Sequence, residues 1–332
     1  MKTSLFHYEL PEASIAQLPA EPRDSARLLV VPGLEDRRFS DLPGLLDPGD
    51  LVVVNRTRVR RARLVGHKVP SGGRIELLLL NPIGGGRWEA LARPTRRLRP
   101  GVRIAFGELV AEVVSDAVGG KIAVAFEASE DHIEAAGEVP LPPYIHRKLS
   151  DPERYQTMFA KTLASSAAPT AGLHFTPALV ERLARRDIDM AELDLAVGVD
   201  TFRPIAETDI EDHEIHSERF EVSAEVVEAV EATRARGGSV VAVGTTVVRA
   251  LESAARGGAI GPMRGTTDLF ITPGFRFRAV DRLVTNFHVP GSSLVVLVAA
   301  FMGDGWRRAY VHALDAGYRF LSFGDAMLTD RA

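Results

Sequence analysis

Two segments carry histidines beside flexible or polar neighbours, where proton transfer could take place. His174 follows Gly172 in residues 169–175, a compact stretch with little helix or strand character. An imidazole titrates near neutrality and can exchange a proton with a substrate, while glycine exposes the backbone beside it. A lone histidine between apolar residues is also often a hydrogen-bonded structural residue. The residues alone leave both interpretations open.

The second segment, residues 286–293, contains Asn286 and His288 on either side of Phe287. Residues two apart in an extended chain point the same way, so both polar side chains are expected on one side. They could form the polar wall of a pocket or a buried hydrogen-bonded pair. One of the two serines at 292–293 is expected to cap the apolar helix that follows.

The turn formed by Gly244, Thr245 and Thr246 lies between an apolar run and a helical pattern. Free N–H groups and the helix dipole at such a position favour a carboxylate or a phosphate. The simpler alternative is that Thr245 or Thr246 only caps the helix.

Five arginines between positions 56 and 63 alternate as they would on a strand. Arg56, Arg58 and Arg60 would lie on one face, and Arg61 and Arg63 on the other. The planar fork of arginine suits phosphate oxygens, which favours a phosphate-binding role. The same pattern also fits a solvated, ion-paired face.

A group of acids and histidines invites a metal interpretation, namely His213, Glu214, His216 and Glu218. Their spacing matches no reliable metal-binding motif. The acidic run 207–221 is instead typical of a solvated face.

The composition is that of a folded soluble protein: 332 residues, 45% hydrophobic, 25% charged. The length favours two domains over one, and the alternative is one interrupted domain. The lack of cysteine excludes disulfides, thiolate zinc sites, iron–sulfur clusters and a cysteine nucleophile. Although the net charge is −4, residues 56–103 carry 13 Lys and Arg against two acids, whereas residues 204–231 carry ten acids against Arg219. This split predicts one basic surface to which a polyanion could bind.

No targeting or membrane segment is expected. Residues 1–11 lack the apolar core of a secretory signal, so a cytosolic location is expected. The most apolar stretch, residues 294–302, is about half the length of a bilayer span and predicts a core helix.

Apolar runs and glycine-rich turns predict the elements that position these residues. Runs at 28–31 and 51–54 predict buried strands. Short β-type runs separated by glycine-rich turns then predict a small barrel, with strands at 75–80, 88–92, 102–106, 109–114 and 122–126. The proline pair at 142–143 marks a linker.

After that linker the pattern returns to alternating helices and strands. The expected elements are a helix to residue 186 capped by Thr176, a strand at 193–199, a helix at 225–236 stopped by Gly237, a strand at 240–243 and a helix at 247–255. The fold class is therefore α/β, with a larger layered domain, residues 1–58 and 144–332, interrupted by an inserted small β-barrel domain, residues 59–143.

Ordered sequence strings along nearly the whole chain carry a family resemblance. The strongest are residues 168–176, 243–246 with Arg249 and 251–253, 267–271 with 273–274, and 285–290, and others lie at 6–11, 15–17, 22–24, 141–145, 154–157 and 324–328. Together they resemble the S-adenosylmethionine:tRNA ribosyltransferase-isomerase (QueA) family.

The resemblance implies an α/β domain that carries the S-adenosylmethionine and active-site motifs, with a β-barrel insertion. It also implies transfer and isomerisation of the ribosyl moiety of S-adenosylmethionine onto 7-aminomethyl-7-deazaguanine in the tRNA anticodon. The products would be epoxyqueuosine, adenine and methionine. No cofactor beyond S-adenosylmethionine as a substrate is implied, and no metal, membrane or stable protein partner is expected.

The resemblance implies roles for particular residues. His174 and His288 would transfer protons, because the sulfonium acidifies the C5′ hydrogens and an acid assists adenine departure. Asn286 and Asp268 would orient the substrate, and Thr245 and Thr246 would receive the methionine carboxylate or a tRNA phosphate. The other expected substrate-binding residues are Thr170, Gly172 and Arg249, and the expected tRNA-binding residues are Arg56, Arg58, Arg60, Arg96 and Arg97.

Several positions depart from the usual family pattern. Arg56 and Arg61 replace Asp and Pro, Ser166 replaces valine, Asp200 replaces glycine, and Gly291 replaces lysine. They leave open an alternative, a tRNA-binding paralogue that has lost ribosyl transfer. A third alternative is an unrelated S-adenosylmethionine-dependent methyltransferase. The sequence argues against it, because no predicted strand is followed by a glycine-rich turn and a ribose-binding acid at suitable spacing.

Overall fold

The computed structural model describes residues 1–31, 33–198 and 203–332. The chain forms two compact units. The α/β unit consists of residues 1–58 and 142–332, and the barrel unit consists of residues 59–141.

Within the described residues, nine strands of the α/β unit form one mixed sheet. From edge to edge they are β15 (Met263–Thr267), β13 (Glu218–Val222), β12 (Asp189–Leu195), β3 (Leu51–Asn55), β14 (Val240–Val243), β16 (Arg282–Asn286), β17 (Ala326–Asp330), β1 (Arg27–Val31) and β2 (Glu35–Arg38). Strands β12, β3, β14 and β16 are parallel to one another. Strand β17 runs antiparallel to β16 and parallel to β1. The strands predicted at 28–31, 51–54 and 240–243 are confirmed.

Seven α-helices are present in the described part of the chain. They are α1 (Leu42–Leu45), α2 (Glu130–Ala136), α3 (Pro177–Ala184), α4 (Ala224–Ala235), α5 (Thr245–Ala254), α6 (Ser293–Met302) and α7 (Gly305–Asp315). The predicted cap of α3 is confirmed, because the Thr176 side chain accepts a hydrogen bond from the Leu179 N–H at 3.2 Å. Helix α4 stops before Gly237, whose φ of +79° suits glycine.

Both faces of the sheet are buried, which explains why its central strands are continuous apolar runs. Along β3, Leu51 and Val53 pack in a cluster with α4 and α5, whereas Val52 and Val54 pack in a second cluster with α1 and α3. Helix α6 is a buried core helix, as residues 294–302 predicted. Among the described helices, none is long and apolar enough to cross a membrane.

The barrel unit is a closed barrel of six antiparallel strands. In order around the barrel they are β10 (Lys121–Phe126), β7 (Arg87–Arg93), β6 (Arg74–Gly84), β5 (Arg63–Val69), β8 (Arg103–Phe106) and β9 (Leu109–Val113). The α/β fold class with an inserted β-barrel is therefore confirmed. The sequence did not predict β5 as a barrel strand, nor helix α2.

Two strand predictions were wrong in detail. The arginines from 56 to 63 do not share one strand, because β4 (Thr57–Val59) ends before Arg60 and β5 begins at Arg63. The strand predicted at 193–199 occupies residues 189–195 instead, because it pairs in register with the whole of β3. The last predicted residue of that strand, Val199, and the departure at Asp200 lie outside the described residues.

Closure of the barrel depends on a glycine in β5. A Cβ on Gly66 would lie 2.2 Å from the Ala105 carbonyl oxygen of β8. We expect Gly66→Ala to lower the free energy of unfolding by about 1–3 kcal/mol, because both strands would have to separate locally. Denaturant unfolding measures this, with Gly265→Ala as control, since the latter strand glycine has no atom within 4 Å of its Cβ position. Equal stability of the two variants would contradict the expectation.

Candidate functional site

Three neighbouring parallel strands end at one edge of the sheet. The strands are β3, β14 and β16, and their last residues are Asn55, Val243 and Asn286. Ligands of open α/β sheets bind at this carboxyl edge. The short helical turn 170–174, which contains His174, packs against β16.

Asn286 connects this turn to the sheet. Its Oδ1 accepts a hydrogen bond from Thr170 Oγ1 at 2.8 Å, and its Nδ2 donates to the Asp325 carbonyl at 3.3 Å. The same Nδ2 lies 3.3 Å from His174 Nε2. Asn286 is 2% exposed, so its amide is fixed by buried partners. Three predicted site residues, Thr170, His174 and Asn286, therefore form one network.

His174 is a buried, neutral imidazole. It stacks on Phe39 with ring centroids 4.7 Å apart. Burial lowers the pKa of His174 to about 4, partly offset by the charge of Asp325 and a hydrogen bond with the Arg23 backbone. An Nε2 that accepts from the Asn286 amide fits this neutral form.

His288 is also buried and neutral. Its Nε2 lies 2.8 Å from Thr285 Oγ1, its backbone N–H donates to Tyr310 Oη at 3.1 Å, and its carbonyl accepts from the Tyr8 hydroxyl. Burial alone lowers the pKa of His288 to about 3. At neutral pH both histidines are neutral and can accept a hydrogen bond, whereas burial disfavours the protonated form from which an acid role would start and which a base role would produce.

Asn286 and His288 line one narrow cleft, as expected if both side chains point the same way. The free space inside it is about 10 Å³, room for roughly one water molecule, so the cleft has to widen before part of a nucleoside can enter. The other lining residues are Tyr144, Thr170, Phe287, Val289, Ser292, Leu294, Leu321 and Ser322. The cleft therefore combines polar groups with an apolar wall.

Sequence reasoning missed three hydroxyls of this cleft. Tyr144 Oη and Ser322 Oγ form a hydrogen bond of 2.8 Å. Ser292 occupies the N-cap position of α6, but its hydroxyl makes no capping bond and is fully buried without a partner among the described residues. The expected serine cap is thus absent, and the Ser292 hydroxyl remains able to bind a ligand. No local signal distinguishes such a serine from a capping one.

Helix α5 begins beside the same turn. Its N-cap is Gly244, at a φ of +91°, so Thr245 and Thr246 are helical residues and neither caps the helix. A Cβ on Gly244 would lie 3.6 Å from both Ala171 Cβ and Thr246 Oγ1. The Thr246 hydroxyl is buried and has no hydrogen-bond partner in the part of the chain that the structure describes. A free hydroxyl therefore lies at the positive end of the α5 dipole.

Hydrogen bonds from Arg23 hold the turn 170–174 in place. The Arg23 guanidinium donates to the carbonyl oxygens of Gln156 at 2.8 Å and Leu173 at 3.3 Å. Gly172 allows close packing, because a Cβ there would lie 3.1 Å from Thr157 Cγ2. Gly172 therefore packs against Thr157 and helps to position the turn.

Other predicted site residues lie apart from the cleft. The Arg249 guanidinium is buried and donates to Glu218 and to the Leu269 and Thr267 carbonyls. Asp268 is exposed, and its carboxylate lies 3.7 Å from Arg256. The solvated-face interpretation of residues 207–221 is wrong for Glu218, which is only 5% exposed because it pairs with Arg249.

The predicted tRNA-binding arginines fall into two classes. Three are ion-paired: Arg56 with Asp194 at 2.9 Å, Arg58 with Glu153 at 2.5 Å, and Arg60 with Glu130 at 3.2 Å and Glu134 at 3.4 Å. Arg96 and Arg97 are exposed in the barrel unit, between β7 and β8.

Comparison with known proteins accounts for nearly the whole chain. Residues 3–329 match the family model described as "Queuosine biosynthesis protein". The chain belongs to this family. It is 49% identical to the S-adenosylmethionine:tRNA ribosyltransferase-isomerase of Symbiobacterium thermophilum and 50% identical to that of Anaeromyxobacter sp., with 99% and 100% of each chain covered. It also resembles the crystal structure of the Thermotoga maritima S-adenosylmethionine tRNA ribosyltransferase, with 38% identity, a TM-score of 0.57, and coverage of 98% of this chain and 99% of that one.

The structure shows the neighbours of two residues that depart from the usual pattern of this queuosine biosynthesis family, Gly291 and Arg56. Gly291 has a φ of +67°, and a Cβ there would lie 2.4 Å from His7 Nε2, so a lysine would require the His7 ring to move. Arg56 is held by Asp194 at the carboxyl edge of the sheet. Both substitutions are therefore accommodated by local partners in this member of the family.

The buried histidines predict a stability that falls with acidification. Their pKa values are depressed in the fold, so the unfolded chain binds more protons below pH 6.5. Acidification from pH 7 to pH 5 is therefore expected to lower the free energy of unfolding by about 2 kcal/mol for each of the two histidines. Urea unfolding at both pH values measures this. His174→Gln should remove its share of the pH dependence, whereas His132→Gln, an exposed control, should not. An unchanged pH dependence in His174→Gln would contradict burial of a neutral imidazole.

Proposed function

We propose that this protein is an S-adenosylmethionine:tRNA ribosyltransferase-isomerase of queuosine biosynthesis. The observation that carries the proposal is similarity of about 50% identity over the full length to proteins of that name. The reaction transfers the ribosyl moiety of S-adenosylmethionine to 7-aminomethyl-7-deazaguanine in the anticodon, and adenine and methionine leave. A cytosolic location fits this proposal, because tRNA is a cytosolic substrate.

The cleft supports a role in this chemistry. The sulfonium of the substrate acidifies the C5′ hydrogens, so a neutral base beside that carbon can remove a proton. His288 lines the cleft in its neutral form, and Asn286 and Thr170 provide fixed polar groups next to it. We assign His288 as the proton acceptor, with Asn286 and Thr170 orienting the nucleoside.

Helix α5 supports binding of a small anion. Thr245 and Thr246 are 5% and 7% exposed, so a tRNA phosphate, attached to a bulky polymer, has poor access to them. The carboxylate of the methionine moiety is small enough to enter a buried position and would accept from the free Thr246 hydroxyl. The proposal therefore assigns the carboxylate, not a phosphate, to this helix end.

A product assay tests the function directly. The protein is incubated with S-adenosylmethionine and with tRNA that bears the aminomethyl-deazaguanine, and free adenine, methionine and the modified nucleoside are measured. Adenine release together with a heavier nucleoside is expected. S-adenosylhomocysteine would instead indicate methyl transfer. tRNA binding without either product would indicate the binding paralogue.

A further inference from the structure

Residues 90–107 contain five arginines and no acidic residue. They include the connection between β7 and β8 of the barrel unit. Three of these arginines lie in the connection itself, and we call Arg96, Arg97 and Arg99 the arginine turn. All three are exposed, and within the described residues none of their side chains makes an ion pair or a hydrogen bond.

The arginine turn is anchored rather than loose. Leu98, between two of its arginines, is only 3% exposed and belongs to the apolar cluster of the barrel. The Leu98 N–H donates to the Thr95 carbonyl at 3.0 Å, and the Val102 N–H donates to the Arg99 carbonyl at 3.1 Å. Arg97 adopts a φ of +66°, which is uncommon for a residue other than glycine. The buried leucine and these backbone bonds thus fix the backbone of the turn, while the arginines on either side of Leu98 are exposed.

The other predicted tRNA-binding arginines differ from the arginine turn because carboxylates already neutralise their charge. Arg56, Arg58 and Arg60 already have carboxylate partners, so binding a phosphate would require each to exchange one anion for another. Arg60 also lies over the Trp88 ring at 5.3 Å. Within residues 1–31, 33–198 and 203–332 the arginine turn has no such partner, so its charge is available to an external polyanion. The phosphate groups of a nucleic-acid backbone are anions that the planar guanidinium fork binds well.

We infer that the arginine turn is the surface of this protein that contacts the phosphate backbone of its RNA substrate. The inference rests on the proposed function, because that function supplies the polyanion. It assigns RNA docking to Arg96, Arg97 and Arg99, and it assigns the paired arginines near position 56 mainly to structural ion pairs.

Salt-dependent binding tests the inference. Each phosphate contact contributes about 0.7 to 0.9 to the slope of log K against log salt concentration. The triple variant R96Q/R97Q/R99Q should bind unmodified tRNA about tenfold or more weakly, with a slope smaller by about 2 to 3. The control R185Q/R186Q/R264Q removes the same charge from exposed positions of the α/β unit and should keep wild-type affinity and slope.

Two further measurements distinguish the possible failures. The variant R96K/R97K/R99K keeps the charge and should retain most of the salt dependence of tRNA binding. If the arginines had a purely structural role, the lysine variant would bind tRNA as weakly as the glutamine variant. Binding rather than catalysis is measured, so absence of ribosyl product from the wild type would reject the proposed function without affecting this test. The inference would be overturned if R96Q/R97Q/R99Q bound tRNA with the same salt dependence as the wild type. It would also be overturned if the wild type bound anionic lipid vesicles as tightly as it binds tRNA.

Discussion

His288→Ala is expected to lower the turnover of S-adenosylmethionine about a hundredfold or more. General base catalysis by a positioned side chain contributes about 10²–10⁴ in rate. His288 is the histidine that lines the cleft, and its neutral form is the form that can accept a proton from C5′. Adenine release under single-turnover conditions measures the effect, with circular dichroism to establish that the variant is folded.

Several controls separate a chemical role from a packing role. His312→Ala removes a partly exposed histidine that pairs with Asp36 and should keep normal turnover. If His288 is the base, the loss should appear in kcat more than in KM for S-adenosylmethionine. Added imidazole should restore part of the turnover, because alanine leaves space in the cleft. A folded His288→Ala protein with near-normal turnover excludes the role.

Arg249→Met is expected to destabilise the fold by about 3–5 kcal/mol. The change leaves the Glu218 carboxylate buried without its cation, and breaking one partner of a buried ion pair has this cost. Both side chains are 5% exposed, so water can compensate little. The two carbonyls of Thr267 and Leu269 would lose their guanidinium donor as well. Chemical denaturation of the variant and the wild type measures the difference.

A surface pair provides the matched control for that experiment. Arg185 and Glu181 form an i,i+4 ion pair at 3.0 Å, with side chains 73% and 67% exposed. Arg185→Met should change stability by less than about 1 kcal/mol, because solvent screens the exposed pair. If Arg249→Met were equally mild while S-adenosylmethionine binding was lost, Arg249 would be a substrate-binding residue rather than a structural one.

The strand–turn–helix unit at 240–254 shows what the sequence could predict. Four consecutive apolar residues followed by glycine indicated a buried strand and a sharp turn, and the structure has both. The start of α5 was two residues late in the prediction, because Gly244 itself is the N-cap. Local pattern defines the existence of such an element better than its first residue.

The failures share a different physical origin. The ion pair of Arg249 with Glu218 joins residues on a helix and a strand, and no local pattern encodes it. The arginines from 56 to 63 looked continuous because charge alternates there, yet buried Val59 and Ala62 on either side of Arg60 divide the run between two elements. The sequence predicts a cap at Ser292 or Ser293, because only the folded structure shows that the Ser292 hydroxyl makes no capping bond. Tertiary partners, rather than propensity, decided these positions.

The position of β17 has a consequence for biosynthesis. This strand, formed by residues 326–330, lies inside the sheet between β16 and β1. The ribosome releases it after the other strands of this sheet, so the sides of β1 and β16 that pair with β17 stay unpaired until residues 326–330 have emerged. The Asp325 carbonyl that holds the Asn286 amide is delivered with it. We therefore expect nascent chains that lack these residues to remain incompletely folded and catalytically inactive, however much of the preceding sequence has been made.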